Sequence, residues 1–314
     1  MTSTPQVSVI MNVRNGAANL SEAIESVLAQ TFSDWELIFW DDRSTDDSAR
    51  IAAGYEDARI RYFLSPEDAP LGRVRDMAIR QAQGEWLAFL DQDDLWMPDK
   101  LEKQMALARM DCQVGIVYGR TLTFSTRGFE RDYDHLHEFG PLPEGDIFTR
   151  LFTDSCFISM SSAMLRRSAI EQIGGIPNTV EIIPDYYLFV AVARRHTARA
   201  VQQVVCRYRL HGGNMSHSTG KRMHREALWL IDQWTHCLDP ALVARRRAIH
   251  STLVALEELQ NITTFTTGLH RLVFSGSIPF LLSRPFLRIF RAIRRRLYHP
   301  CWVLSSNAKR MLAH

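Results

Sequence analysis

The chain has 314 residues, of which 46% are apolar, 23% charged and 10% aromatic, a globular composition that excludes a disordered or low-complexity protein. Its length allows one large domain, or a domain of about 200–250 residues with an appendage. Net charge is +2, but residues 259–314 carry nine Lys and Arg and no Asp or Glu, so residues 1–258 sum to −7 (+2 less nine). A mildly acidic body with a basic tail implies a surface-binding tail.

Five cysteines, Cys112, Cys156, Cys206, Cys237 and Cys301, are scattered and form no CxxC pair. That pattern fits reduced thiols and a cytoplasmic setting better than a disulfide framework or a zinc site. MTSTPQVSVI lacks a basic segment followed by an apolar one, so no secretory signal is expected. No stretch reaches ~18 uninterrupted apolar residues, so no spanning helix is expected. No nucleic-acid partner is expected.

In chain order, Val7–Val13 reads as a buried strand broken by Asn15-Gly16. Asn19 and Glu22 resemble a capping box before a helix carrying Ile24, Val27 and Leu28. Trp35–Trp40 is a second strand ending at Asp41-Asp42, and Ser44–Asp47 caps a second helix that Gly54 stops. Ile60–Leu64 is a third strand, Val74–Gln83 a helix, and Trp86–Leu90 a fourth strand ending at Asp91-Gln92-Asp93-Asp94. Pro98 opens a helix to about Met110, and Val114–Tyr118 is a fifth strand. Residues 119–145 read as a loop-rich insertion. Asp146–Phe152 is then a short helix, Ser159–Leu165 a strand, Ser168–Ile173 a helix, Asp185–Arg195 a helix and Val201–Arg209 a strand. From about Lys221 the remainder reads mainly helical.

This alternation predicts an α/β fold, an open, mostly parallel sheet with helices on both faces, followed by a mainly helical C-terminal region. Ligands of such sheets sit beyond the carboxyl ends of the strands, where both acidic clusters fall. Asp91 and Asp93, two residues apart at a strand end, suit one hard divalent cation shared with substrate phosphates. The ordinary alternative is a polar turn capping the next helix. Asp41-Asp42 could likewise be a turn, although Ser44 could cap alone, or could accept hydrogen bonds from a base edge or a ribose hydroxyl. His211, after a strand in Arg207–Leu210, is either a surface histidine or a ligand. No GxGxxG follows the first strand and no phosphate-binding loop is present, so a metal is the expected means of neutralising a diphosphate.

Taken in order, these residues resemble family 2 glycosyltransferases of the GT-A fold. Residues Ser8 to Asn15 are similar to SVIIPVYN, and Trp40 to Ser48 to a VDDGSTDGS segment. Arg75-Asp76, Ala82-Gln83-Gly84-Glu85-Trp86 and Leu90–Asp94 resemble ARN, AxGEY and LDxDD. Arg166-Arg167 with Gly174-Gly175 resembles RR…GGF; Pro184–Leu188 resembles EDYDL; and Tyr208–His211 resembles YRxH. Asn12, Arg43, Asp76 and Pro184 stand where Pro, Gly, Asn and Glu are usual.

The resemblance covers residues 7 to about 217 and implies a glycosyltransferase domain over 1–217. Its nucleotide-sugar half would span about 1–118 and its acceptor half 119–217, with a helical extension over 218–314. It implies inverting transfer of a sugar from a nucleotide-diphosphosugar donor to a hydroxyl of a saccharide or lipid-linked acceptor, in surface polysaccharide or lipid-linked glycan synthesis. Asp185 would be the general base. Val13, Asn15, Asp41, Asp42, Arg75, Asp91 and Gln92 would bind the nucleotide-sugar, and Asp93, Asp91 and His211 would hold Mg²⁺ or Mn²⁺. Two alternatives stay open: a metal-dependent phosphohydrolase, disfavoured by Leu95 and by the motif's place on the fourth strand, and a non-catalytic sugar-nucleotide-binding module.

In the tail, Arg284, Arg288, Arg291 and Arg295 recur on one helical face, with Leu287, Phe290 and Ile293 supplying much of the opposite side. A basic amphipathic helix over 284–298 would lie peripherally on an anionic membrane surface. The alternative is a helix packed on the body with its arginines solvated.

Overall fold

The structure is a computed structural model describing residues 4–125, 130–132, 140–154, 156–212, 214 and 220–259. The chain divides into two compact units, Met1–Arg246 and Arg247–His314. The tail segment 284–298 lies outside the described residues.

The strands are β1 (Val7–Val13), β2 (Trp35–Asp41), β3 (Ile60–Leu64), β4 (Trp86–Phe89), β5 (Leu95–Trp96), β6 (Val114–Ser125), β7 (Glu130–Asp132), β8 (Met164–Arg166) and β9 (Thr197–Leu210). The helices are α1 (Leu20–Leu28), α2 (Ser48–Ala53), α3 (Leu71–Ile79), α4 (Lys100–Ala108), α5 (Phe148–Thr153), α6 (Arg167–Gln172), α7 (Pro184–Ala193), α8 (Gly220–Gln233) and α9 (Pro240–Leu259).

The strands form one mixed sheet in the order β3-β2-β1-β4-β8-β6-β9-β5, with β7 beside β6. β3, β2, β1 and β4 are parallel. β8 runs antiparallel between β4 and β6. The expected open sheet with helices on both faces is therefore present. On β1, Val7, Val9, Met11 and Val13 enter one apolar layer with residues of α1 and α4, while Ile10 enters the other with residues of α3, α6 and α7. That two-sided burial is why β1 and β2 read as continuous apolar runs. Helix α7 is apolar around most of its circumference because it is buried nearly throughout.

Several elements differ from expectation. The region after Tyr118 is not all loop: β6 continues to Ser125 beside β9, with the register shifting around Arg120. Residues 159–165 do not form one strand; a 3-10 turn at Met160–Ser162 precedes the short β8. β5 has too few residues to show a periodicity. Asn19 makes no side-chain cap, and Ser44 accepts from the Asn15 backbone N–H instead of capping α2. The turn into β4 needs Gly84, since a Cβ there would lie 2.6 Å from the Ser8 nitrogen.

Candidate active site

The carboxyl ends of β1, β2 and β4 share one sheet edge, because Val13 pairs with Asp41 and Ile10 with Phe89. The chain beyond each end carries the residues singled out above. Loop β1–α1 is tied to its neighbours by its own polar groups. The Gln92 side chain accepts from the Arg14 N–H (2.7 Å) and donates to the Arg14 carbonyl (3.2 Å). Asn15 Oδ1 accepts from the Thr45 N–H at 2.8 Å. Val13 is buried, and its carbonyl accepts from the Asp42 N–H. Gln92, Asn15 and Val13 thus tie the β1–α1 loop to the chain beyond β4 and β2.

Asp41 and Asp42 are differently placed. Asp41 is 1% exposed, and its two oxygens accept from the Ser44 N–H (2.8 Å) and the Tyr62 hydroxyl (2.7 Å). Asp42 is 7% exposed, and its Oδ2 accepts from Arg14 Nη1 at 3.1 Å. Its Oδ1 is buried with no hydrogen-bond partner. Burial raises the Asp42 pKa, the Arg14 bond opposes that rise, and Asp68 and Asp41 add to it. An unpaired acceptor beside a guanidinium is able to accept from an N–H or O–H.

Behind β4 the acidic loop is fixed from three sides. Asp94 is fully buried and accepts from Ser161 Oγ (2.6 Å) and the Arg209 N–H (2.9 Å), so it is a structural anchor. Ser161 also accepts from the Asp91 N–H, and Arg209 Nε donates to the Asp93 carbonyl at 2.8 Å. Asp93 Oδ2 lies 2.7 Å from His211 Nε2. The His211 N–H in turn donates to the buried Asn214 side chain. Ser161, Asp94, Arg209 and Asn214 were not singled out from the sequence. Asp94 pairs with Ser161 and Arg209 across 67 and 115 positions, which periodicity does not encode, and Asn214 then pairs locally with Arg209 and His211.

Arg75, 4% exposed on α3, donates to Asp91 Oδ1 at 3.0 Å, and its charge also acts on Asp185. Asp185 follows Pro184, the first residue of α7, where a fixed φ and a missing N–H suit the helix start. Asp185 accepts from the Tyr186 N–H at 2.8 Å. Burial raises its pKa and Arg75 opposes the rise. Asp91 is also raised by its recessed setting, with Arg75 opposing and Asp93 and Asp185 adding repulsion. Two-fifths of its side chain still meets water, which tempers that rise.

Among the described residues no group of three or more His, Cys, Asp and Glu is arranged to hold a metal. The donor set is narrower: the Asp93–His211 pair, with Asp91 close enough for its charge to be felt. A cation that completes its shell from phosphate oxygens and water needs only one or two carboxylates, so these residues fit such an ion.

A family model described as glycosyl transferase family 2 matches residues 8–174, more than half of the chain. The chain is 30% identical over 233 residues to the Bacillus subtilis putative teichuronic acid biosynthesis glycosyltransferase TuaG, covering 72% of this chain and 87% of that one. It is 26% identical over 224 residues to the Escherichia coli UDP-Glc:alpha-D-GlcNAc-diphosphoundecaprenol beta-1,3-glucosyltransferase WfgD, covering 70% and 83%. It spans only 33% of an uncharacterised Rickettsia felis glycosyltransferase, at 29% identity over 66% of this chain. In fold it is similar to Staphylococcus aureus TarS 1-349 in complex with UDP-GlcNAc, with TM-score 0.62 and 14% identity over 93% of this chain and 81% of that one. It is also similar to the Pyrobaculum calidifontis mannosyltransferase PcManGT in complex with GDP-Man and Mn²⁺, with TM-score 0.61 and 18% identity over 95% and 86%.

Proposed function

The chain belongs to glycosyltransferase family 2, and on that premise we propose that it is an inverting enzyme whose donor is a nucleotide-diphosphosugar and whose acceptor is a hydroxyl of a lipid-linked glycan. The acceptor class rests on the likeness to WfgD, whose name gives an undecaprenol-linked substrate, and the donor class on the nucleotide-sugars bound by the fold relatives.

The observation that carries this reading is Arg75, which donates to Asp91 beyond the end of β4 and whose charge also acts on Asp185 at the head of α7. Asp42 Oδ1 accepts from the nucleoside. Asp93 and His211, with the Asp91 charge nearby, would hold Mg²⁺ or Mn²⁺, which would neutralise charge on the leaving diphosphate. Arg75 orients Asp91 and offsets part of the negative charge of the cluster. Asp185 takes the acceptor proton as the acceptor oxygen bonds to the anomeric carbon and the bond from that carbon to the diphosphate oxygen breaks. A single displacement of this kind inverts the anomeric centre. A carboxyl whose pKa is raised by burial is the better base for this transfer.

Asp185→Asn keeps the shape and removes proton acceptance. It should lower kcat at least ~10²-fold and leave donor affinity within a few-fold. A collapse of donor affinity with kcat intact would make Asp185 a binding residue.

For the tail we propose docking on an anionic membrane surface through 284–298, on the cytoplasmic face. Each Lys or Arg there contributes ~1 kcal/mol near such a surface. The support is the charge pattern and the lipid-linked substrate named for WfgD. Co-sedimentation should be stronger with anionic than with neutral vesicles and should fall on truncation at residue 268. Equal recovery from both vesicles would reject membrane docking.

A further inference from the structure

Helix α8 reaches the segment that leads into Asp185. The Glu226 carboxylate accepts from three consecutive backbone N–H groups: Glu181 (3.1 Å), Ile182 (2.9 and 3.0 Å) and Ile183 (3.1 Å). One turn earlier on the same face, Arg222 pairs with Glu181. One turn later, Trp229 packs against Tyr187 of α7, with ring centroids 6.3 Å apart. From the other side, the Gly72 N–H at the start of α3 donates to the Glu181 carbonyl at 3.2 Å. The approach is close enough that a Cβ on Gly72 would fall 1.8 Å from the Val180 carbonyl oxygen. Residues 180–183 are therefore clamped between α3, which carries Arg75, and α8.

We propose that Glu226 is a positioning residue for Asp185. Ile183 is the residue just before α7, and no side chain of the 181–183 segment caps that helix. Three N–H groups pointing one way form a positive concavity, and a carboxylate from another element fills it with charge-assisted bonds. Pro184 stands where the resembling motif has Glu, and the carboxylate at the head of this helix comes from α8 instead. Fixing the backbone of 181–183 sets the direction in which α7 starts, and Asp185 is its second residue. A misplacement of about 1 Å at a reacting group can cost ~10²-fold in rate. This proposal rests on the reading of Asp185 as the base.

The experiment measures kcat, KM and donor Kd for wild type, Glu226→Gln, Asp185→Asn and the double variant. Glu226→Gln keeps the volume but presents an amide donor to part of the nest. It should lower kcat about tenfold or more with donor Kd within threefold, and the effect should vanish in the Asp185→Asn background, because both act on one step. Unchanged kcat in Glu226→Gln, where Asp185→Asn is impaired, overturns the proposal and leaves the base reading intact. Unchanged kcat in Asp185→Asn overturns both. Equal loss from Glu226→Gln in both backgrounds, or a parallel loss of donor binding, would mean a general structural role and also overturns it. Hydrogen exchange on the wild type is independent of any variant's folding: the amides of 181–183 should be protected, and rapid exchange there overturns the clamp.

Discussion

Asp41 and Asp42 are neighbours in the chain and do different work. The Asp41 carboxylate is occupied by Ser44 and Tyr62, whereas Asp42 keeps one buried oxygen without a partner. Asp42→Ala should therefore weaken donor binding by ~10-fold or more, the size of one hydrogen bond to a charged group. Asp41→Ala should instead lower stability by ~1–3 kcal/mol by stripping acceptors from its two donors, with a smaller change in donor Kd. Calorimetric titration and denaturant unfolding separate the two, and the reverse pattern would exchange their roles. Arg43, the residue after Asp42, has φ of 56°. The left-handed region costs a side-chain-bearing residue ~1–2 kcal/mol, which explains why Gly is usual at this place in the resembling motif. Asn15, at φ 52°, belongs to the residue types that tolerate that region best.

At the scale of elements, α4 carries an unusual charge. Lys100 is fully buried, with Nζ 2.6 Å from Gln104 Oε1 and 4.1 Å from the centre of the Trp96 ring, and no carboxylate pairs with it among the described residues. Burial lowers its pKa from 10.5 to about 7. Between those values the unfolded chain binds the extra proton, so this group makes stability rise with pH from about 7 to about 10.5. Below about 7 the cost of burying the charge is fully present, at ~1.4 kcal/mol for every tenfold difference in proton affinity between the folded and unfolded chain. Lys100→Met removes that cost but leaves Gln104 Oε1 short of a donor, a loss of ~1–3 kcal/mol. The stability of Lys100→Met relative to wild type should therefore fall as pH rises from about 7 to about 10. Urea unfolding at the two pH values checks it, and a flat difference would show that Lys100 stays charged in the fold.

Across the molecule, segments far apart in the chain meet at one place: Glu22 of α1, Asp93 after β4 and Arg209 near the end of β9 are joined through a single guanidinium. Ligand binding at such a junction should stabilise the whole fold. A nucleotide-sugar at about 100 times its Kd, with Mn²⁺ present, should add ~2.7 kcal/mol to stability. Asp93→Ala or excess chelator should abolish most of that increment. Full donor stabilisation in either case would remove Asp93 from the metal site. No helix among the described residues is long and apolar enough to cross a membrane.

The sequence by itself determined the strand–helix alternation of the first third, because buried parallel strands must be short apolar runs and their ends must carry turn residues. It also determined the family, since the motifs from Ser8 to His211 occur in order, and it located the acidic clusters at strand ends. Which acids are taken up by internal hydrogen bonds was not legible. Asp94 reads like Asp93 in the chain, yet one is locked under Ser161 and Arg209 and the other meets His211. Asp41 and Asp42 divide in the same way. Glu226 carries no motif at all, and only the docking of α8 brings its carboxylate to residues 181–183, more than 40 positions away. Local pattern fixes periodicity and turns, because those depend on neighbours in the chain. The partner of a buried polar group is chosen by the packing of distant elements, and that is decided only when the sheet and its helices close around it.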